Sequence, residues 1–344
     1  MPDPSSPTVD RPSPAPGRPV PLTLAGAPRS RRRFLAELGV LGLGLVATAC
    51  SSGGSGSTGS RSAAGPPTLA QLKRRGAEVS LLNPQEPVQP GPQPYAFDLV
   101  TRQNTLVTGG TAEVWLFENG AGRGRGPVPA TWYPFTGYEA THDRSPKSDL
   151  PGIYLATIDP ATSGIWEVGA LVTVGSQSVV GTAALQVTGA KVVAAVGSKA
   201  ISVQTPVATT TSKLEQICTR TPVCHLHSIS LADALTNGKP TVACFATPLL
   251  CESRLCGPVL DEVILVAETH GTRANVIHIE EFLPGPSLSP PAATLQNQSP
   301  GFKAWGFTSE PWVIVIDRNG VVRGRLGPGP SVAPEIEAAL EPLL

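Results

Sequence analysis

From Glu78 onward the chain is written in short apolar runs separated by turn residues, a pattern that favours strands over helices. Val79–Leu82, Ala96–Val100, Glu113–Phe117, Gly152–Ile158, Gly164–Val168, Leu171–Val174 and Ala183–Val187 each read as a strand. Their regular spacing predicts an antiparallel sandwich over residues 77–190. Val and Thr are frequent while Lys and Glu are sparse, which suits a pleated, half-buried surface. Tyr154 and Trp166 are expected to plug its core. Residues 119–150 are polar and rich in Gly and Pro, and are expected to form a long loop in which His142 is the sole histidine.

The run Gly152-Ile153-Tyr154 to Gly164-Ile165-Trp166-Glu167-Val168 resembles a hairpin of exported Ig-like bacterial modules. That resemblance implies an Ig-like sandwich. Lys+Arg and Asp+Glu both number 26, so the net charge is zero and no field exists to draw in nucleic acid. No nucleic-acid partner is expected.

The first 76 residues read as an address and a tether. Residues 1–29 are Pro- and Ser-rich and are expected to be disordered. Arg31-Arg32-Arg33 precedes a mostly apolar run from Leu38 to Ala49, the layout of a signal peptide and too short to span a bilayer of ~30 Å. Ser30-Arg31-Arg32-Arg33-Phe34-Leu35 resembles a twin-arginine export signal, with Arg31 and Arg32 as its pair. Ala47-Thr48-Ala49-Cys50 resembles a bacterial lipobox. The two resemblances imply a leader over 1–50, a lipid on Cys50, a Gly/Ser linker over 51–76 and an anchor on the extracytoplasmic side of the cell membrane. Disulfides persist in that compartment.

A Ser/Thr/Val linker over 191–212 leads into a second module, 213–344. Lys239–Thr247, Ala274–Glu280 and Pro311–Asp317 read as strands, with a helix between Cys251 and about Thr269. A short, weakly helical stretch lies near Gln296–Trp305. Arg318-Asn319-Gly320 is a turn into an antiparallel partner, Val321–Leu326, and Val332–Leu343 reads as a helix. This order, with Phe245-Ala246-Thr247-Pro248, Cys251 and Cys256, Gly257-Pro258, and Ser309-Glu310-Pro311-Trp312 before VIVIDRNGVV, resembles the thioredoxin fold. The expected fold class is therefore an all-β Ig-like sandwich followed by an α/β thioredoxin-like domain, behind a disordered N-terminus with a signal helix. The resemblance implies that Cys251 and Cys256 are the reactive pair and that Pro311 faces them.

Four residues separate Cys251 from Cys256 here, against two in that family. On one helix the two side chains would point about 140° apart, since each residue turns about 100°. A bridge therefore requires Cys251 to sit in the loop before the helix. Cys251 is expected to be the exposed nucleophile and Cys256 the resolving thiol, with Arg254 adding positive charge. A fixed structural bridge or two free thiols are the alternatives.

Cys218 and Cys224 flank a five-residue loop with a proline and are expected to form a structural disulfide. A second reading groups the two cysteines with His225 and His227, centred on Cys224-His225-Leu226-His227, as soft-metal ligands. Cys244 is expected to pack as a buried apolar side chain. The function expected is thiol–disulfide exchange on exported partners carrying thiols or disulfides, with no bound cofactor. The alternatives are a non-catalytic binding or scaffold lipoprotein and a copper- or metal-handling protein.

Overall fold

The computed structural model describes residues 65–83, 86–136, 151–252, 255–284, 293–294 and 296–344. The export signal at Arg31 and Arg32, the lipidation position Cys50, His142 and Arg254 all lie outside the described residues. Residues 61–344 form one compact unit.

Its N-terminal half holds seven strands: β1 (Ala77–Leu82), β2 (Gln93–Val100), β3 (Thr111–Glu118), β4 (Arg125–Pro134), β5 (Gly152–Ile158), β6 (Gly164–Val174) and β7 (Gln177–Val187). They close in the order β1-β2-β5-β4-β3-β6-β7. Closure comes from β1, which pairs antiparallel with β2 and parallel with β7, Ala77 opposite Val179 and Ser80 opposite Thr182. Both edges are thereby used up, which removes the unpaired N–H and C=O rows that an open sheet exposes.

Inward-facing side chains fill the barrel. Phe97, Val114, Tyr154, Val168 and Val172 are fully buried and Trp166 is 1% exposed. Tyr154 and Trp166 keep their polar ends satisfied: the Tyr154 hydroxyl donates to the Gly109 carbonyl at 2.7 Å, and the Trp166 indole donates to the Thr162 carbonyl at 2.9 Å. The expected break between Val168 and Leu171 does not occur. Instead β6 runs on to Val174, and a tight Gly175-Ser176 turn (Gly175 φ 60°) starts β7. Thr68 caps a short helix, α1 (Leu69–Lys73), which seats Leu72 against Trp115, Phe117 and Val180.

β4 corrects the expected loop. Its three prolines argue against a strand, yet it sits between β3 and β5. The ladder tolerates them through a register shift opposite Val114 and Leu116, beside Gly126-Pro127.

The C-terminal half carries a four-stranded sheet, β11-β10-β8-β9, built from β8 (Thr241–Ala246), β9 (Asn275–Glu280), β10 (Trp312–Ile316) and β11 (Val322–Leu326). β8 is parallel to β9 and antiparallel to β10. Six helices stand in the described residues: α1, then α2 (Thr211–Leu214), α3 (Leu231–Ala234), α4 (Cys256–His270), α5 (Pro300–Trp305) and α6 (Ala333–Leu340). β8 is buried throughout because both sheet faces are covered. Val242, Cys244 and Ala246 face the α4 and α6 side chains, whereas Ala243 and Phe245 face Phe302, Trp305 and Phe307.

The expected fold class is corrected on this architecture. A closed seven-stranded barrel replaces the Ig-like sandwich, and a small four-stranded sheet with few helices stands where a thioredoxin-like domain was expected. Within residues 191–212, expected as a linker, residues 197–200 pack beside the start of β11: Ala200 donates to the Gly320 carbonyl and Gly197 to that of Val322, both at 2.9 Å.

Barrel and sheet are joined through polar contacts on two sides. The fully buried Glu262 of α4 accepts from Thr136 N at 2.6 Å and from Ala333 N, at the start of α6, at 2.9 Å. On the other side, Glu86 accepts from the Thr308 and Ser309 hydroxyls and faces Arg325.

Candidate functional site

Two groups of chemically capable side chains meet in the C-terminal half. The first is the Cys251–Cys256 pair. Cys256 is the first residue of α4 and Cys251 lies in the loop before it, as a bridge requires. Their Cα atoms are 6.0 Å apart and the sulfurs stand at disulfide distance. Cys256 is fully buried and Cys251 is partly exposed. The Cys256 N–H donates to the Cys251 sulfur at 3.2 Å. An amide at a helix start carries part of the positive end of the helix dipole, so it favours negative charge on Cys251.

Glu310 enters this group unforeseen. Its carboxylate lies within 4.8 Å of both sulfurs and accepts from Glu252 N at 3.1 Å. Burial pushes the Glu310 carboxyl up. Burial, and then the neighbouring Glu310 charge, push Glu281 to about 8. Two carboxyls so close cannot both ionise readily near neutrality, so the pair retains a proton. Pro311 follows Glu310 directly, is buried, and receives Gly329 N on its carbonyl at 3.0 Å. Its tie to the pair is the preceding residue, Glu310.

The second group gathers Cys218, Cys224, His227 and His278, all buried. Three come from the loop between α2 and α3, and His278 comes from β9. The loop is pinned in two ways. Leu226 accepts from His278 N at 2.9 Å, which fastens it to the free edge of β9. Arg220, 4% exposed, reaches down to the buried Asp261 of α4 with contacts of 3.0 Å (Nε) and 2.9 Å (Nη2).

The expected Cys218–Cys224 disulfide is not formed. The two sulfurs are 3.9 Å apart, and both turn toward His278 Nδ1, at 3.8 Å from Cys218 and 3.4 Å from Cys224. His227 Nε2 approaches the same Nδ1 at 3.1 Å. His225, grouped with Cys224 and His227 from their closeness in sequence, is exposed and stays out of the cluster. His278 takes its place. The signal for it was a single histidine inside the otherwise apolar strand Val276–Ile279, with Glu280 just beyond.

The cluster is electrostatically uneven. The Cys224 hydrogen bond, then those of the histidines, hold Cys218 well below the usual thiol range, while Cys224 is pushed up as the proton-keeping partner. Burial lowers His227. Burial would lower His278 too, but its Cys218 contact and Glu280 outweigh it and raise it. Glu280 lies beneath, its carboxylate accepting from Thr219 N at 2.7 Å and from the Thr219 hydroxyl at 3.0 Å. Cys244, on β8 opposite His278, is fully buried, and burial pushes its thiol up.

No known protein family matches the chain, and no curated protein matches it. Among solved structures, the crystal structure of the Lin-41 filamin domain is similar over 32% of this chain and 91% of its own, at 12% identity and a TM-score of 0.20. A likeness that slight assigns neither fold nor function.

Proposed function

We propose that this protein performs thiol–disulfide exchange through Cys251 and Cys256 on exported partners, held near the membrane by a lipid on Cys50. The observation that carries the reading is the asymmetry of the pair: a partly exposed Cys251 whose sulfur receives the first amide of α4, bonded to a fully buried Cys256.

The chemistry balances as follows. A partner thiolate attacks Cys251 Sγ, the Cys251–Cys256 bond breaks, and Cys256 leaves as a thiolate. Its apolar burial disfavours that charge, and the proton held by Glu310 and Glu281 neutralises it. A second partner thiolate then attacks the partner sulfur of the mixed disulfide and expels Cys251. Two electrons pass from the partner dithiol to the pair, and the reverse sequence reduces a partner disulfide.

Trapping tests this. Cys256→Ser removes the resolving thiol, so the Cys251 thiolate is expected to attack partner disulfides and accumulate as mixed disulfides, whereas Cys251→Ser accumulates none. Equal, negligible trapping by both variants refutes the reading. Mass spectrometry of the mature N-terminus tests the anchor, with a diacylated Cys50 as the expected product.

A further inference from the structure

We propose that Cys218, Cys224, His227 and His278 form a zinc site that fastens the 218–227 loop to the edge of β9. The inference is independent of the exchange reading, because it uses none of Cys251, Cys256 or Glu310.

The geometry argues for a central ion. Zinc holds thiolate sulfur at about 2.3 Å and imidazole nitrogen at about 2.0–2.1 Å in a tetrahedron. Those bond lengths set ligand–ligand edges of about 3.8 Å between sulfurs, about 3.5 Å between sulfur and nitrogen, and about 3.3 Å between nitrogens. The corresponding separations here are 3.9 Å, then 3.8 and 3.4 Å, then 3.1 Å. All four ligand atoms lie within 4.8 Å of one another.

Hydrogen bonding alone leaves this cluster over-subscribed. His278 Nε2 lies 3.2 Å from the Ala246 carbonyl, which can only accept, so Nε2 carries a proton and Nδ1 is the nitrogen left to serve the cluster. That single nitrogen faces two sulfurs and a second imidazole nitrogen. One cation at their centre uses all four lone pairs at once. The Ala246 contact is also the outer support that metal-bound histidines regularly have.

The donor set selects the metal. Two sulfurs and two imidazoles suit zinc, and four protein ligands buried together leave no open coordination position, the mark of a structural ion. Two thiolates neutralise Zn²⁺, so the ion adds no net charge to the interior. The site also reaches the redox loop. Thr219, next to Cys218, accepts from Leu249 N at 3.2 Å through the hydroxyl that it donates to Glu280. Loading the site therefore holds one end of the segment leading to Cys251.

The test is the metal content of the purified full chain, reduced and then incubated with zinc alone. Elemental analysis is expected to give about one zinc per chain, falling near zero in His227→Ala and His278→Ala and unchanged in His225→Ala. Cobalt(II) added instead of zinc is expected to give the intense visible bands of a tetrahedral thiolate site, a readout on the unsubstituted protein. An absence of zinc and of those bands in the reduced wild-type chain overturns the proposal. So does retention of copper(I) in preference to zinc, or loss of zinc in His225→Ala to the same extent as in His227→Ala.

Discussion

Asp261→Asn is expected to be among the most destabilising single changes near the site. Arg220 and Asp261 are 4% and 0% exposed at their side chains, and their contacts are 2.9 and 3.0 Å. Removing the Asp261 charge takes from the buried Arg220 guanidinium the carboxylate that it contacts. Breaking a buried pair from one side costs about 3–5 kcal/mol. At roughly 2 °C per kcal/mol for a unit of this size, the melting temperature falls by about 6–10 °C. Arg220 also donates to the Pro222 carbonyl at 2.8 Å, so the loop carrying Cys218 and Cys224 loosens with it. Thermal unfolding followed by circular dichroism measures the first effect, and the alkylation rate of the Cys218 and Cys224 thiols measures the second. The double change Arg220→Met with Asp261→Leu removes both charges and is expected to recover most of the loss. A fall below about 2 °C for Asp261→Asn, or a double variant less stable than the single one, refutes the reasoning.

Further predictions follow from other contacts. Asp98, Glu281 and Glu335 are raised by burial to about 7, 8 and 8. Their folded pKa values exceed the unfolded ones, so the stability they contribute is full below about pH 4 and is lost as pH rises through about 7–8. Melting temperature is thus expected to fall from pH 5 to pH 8, and Glu335→Gln to flatten that slope; a slope unchanged by the substitution contradicts the assignment. Glu310→Gln is expected to slow exchange at neutral pH while leaving the melting temperature within a few degrees, read by stopped-flow oxidation of a model dithiol. Tyr154→Phe removes one buried hydrogen bond and is expected to cost about 1 kcal/mol by denaturant titration.

Much of the secondary structure was legible because local chemistry dictated it. The i to i+5 spacing of Cys251 and Cys256 required the first cysteine to precede the helix, and α4 begins at Cys256. The apolar runs at β8 and β10 were readable because a strand covered on both faces needs no alternation. Assembly was not legible. The barrel closes by pairing Ala77–Ser80 with Val179–Thr182, a contact between segments far apart in sequence, and no local pattern encodes it. β4 was hidden by prolines that only a register shift makes tolerable. The Cys/His cluster was legible in Cys218, Cys224 and His227, which lie close in sequence, while His278 lies 51 residues beyond His227 and joins only because Leu226 pairs with the β9 edge. Closeness in sequence favoured His225, which the turn of the loop points outward.

The central claim is that Cys251 and Cys256 cycle between dithiol and disulfide under the conditions of their compartment. Equilibrating the full chain against a graded series of glutathione and dithiothreitol buffers, then counting alkylated Cys251 and Cys256 by mass spectrometry, measures this directly. The expected midpoint lies above about −300 mV, within the range of exchangeable disulfides. A pair that stays oxidised well below about −300 mV is a fixed bridge, and that result contradicts the account.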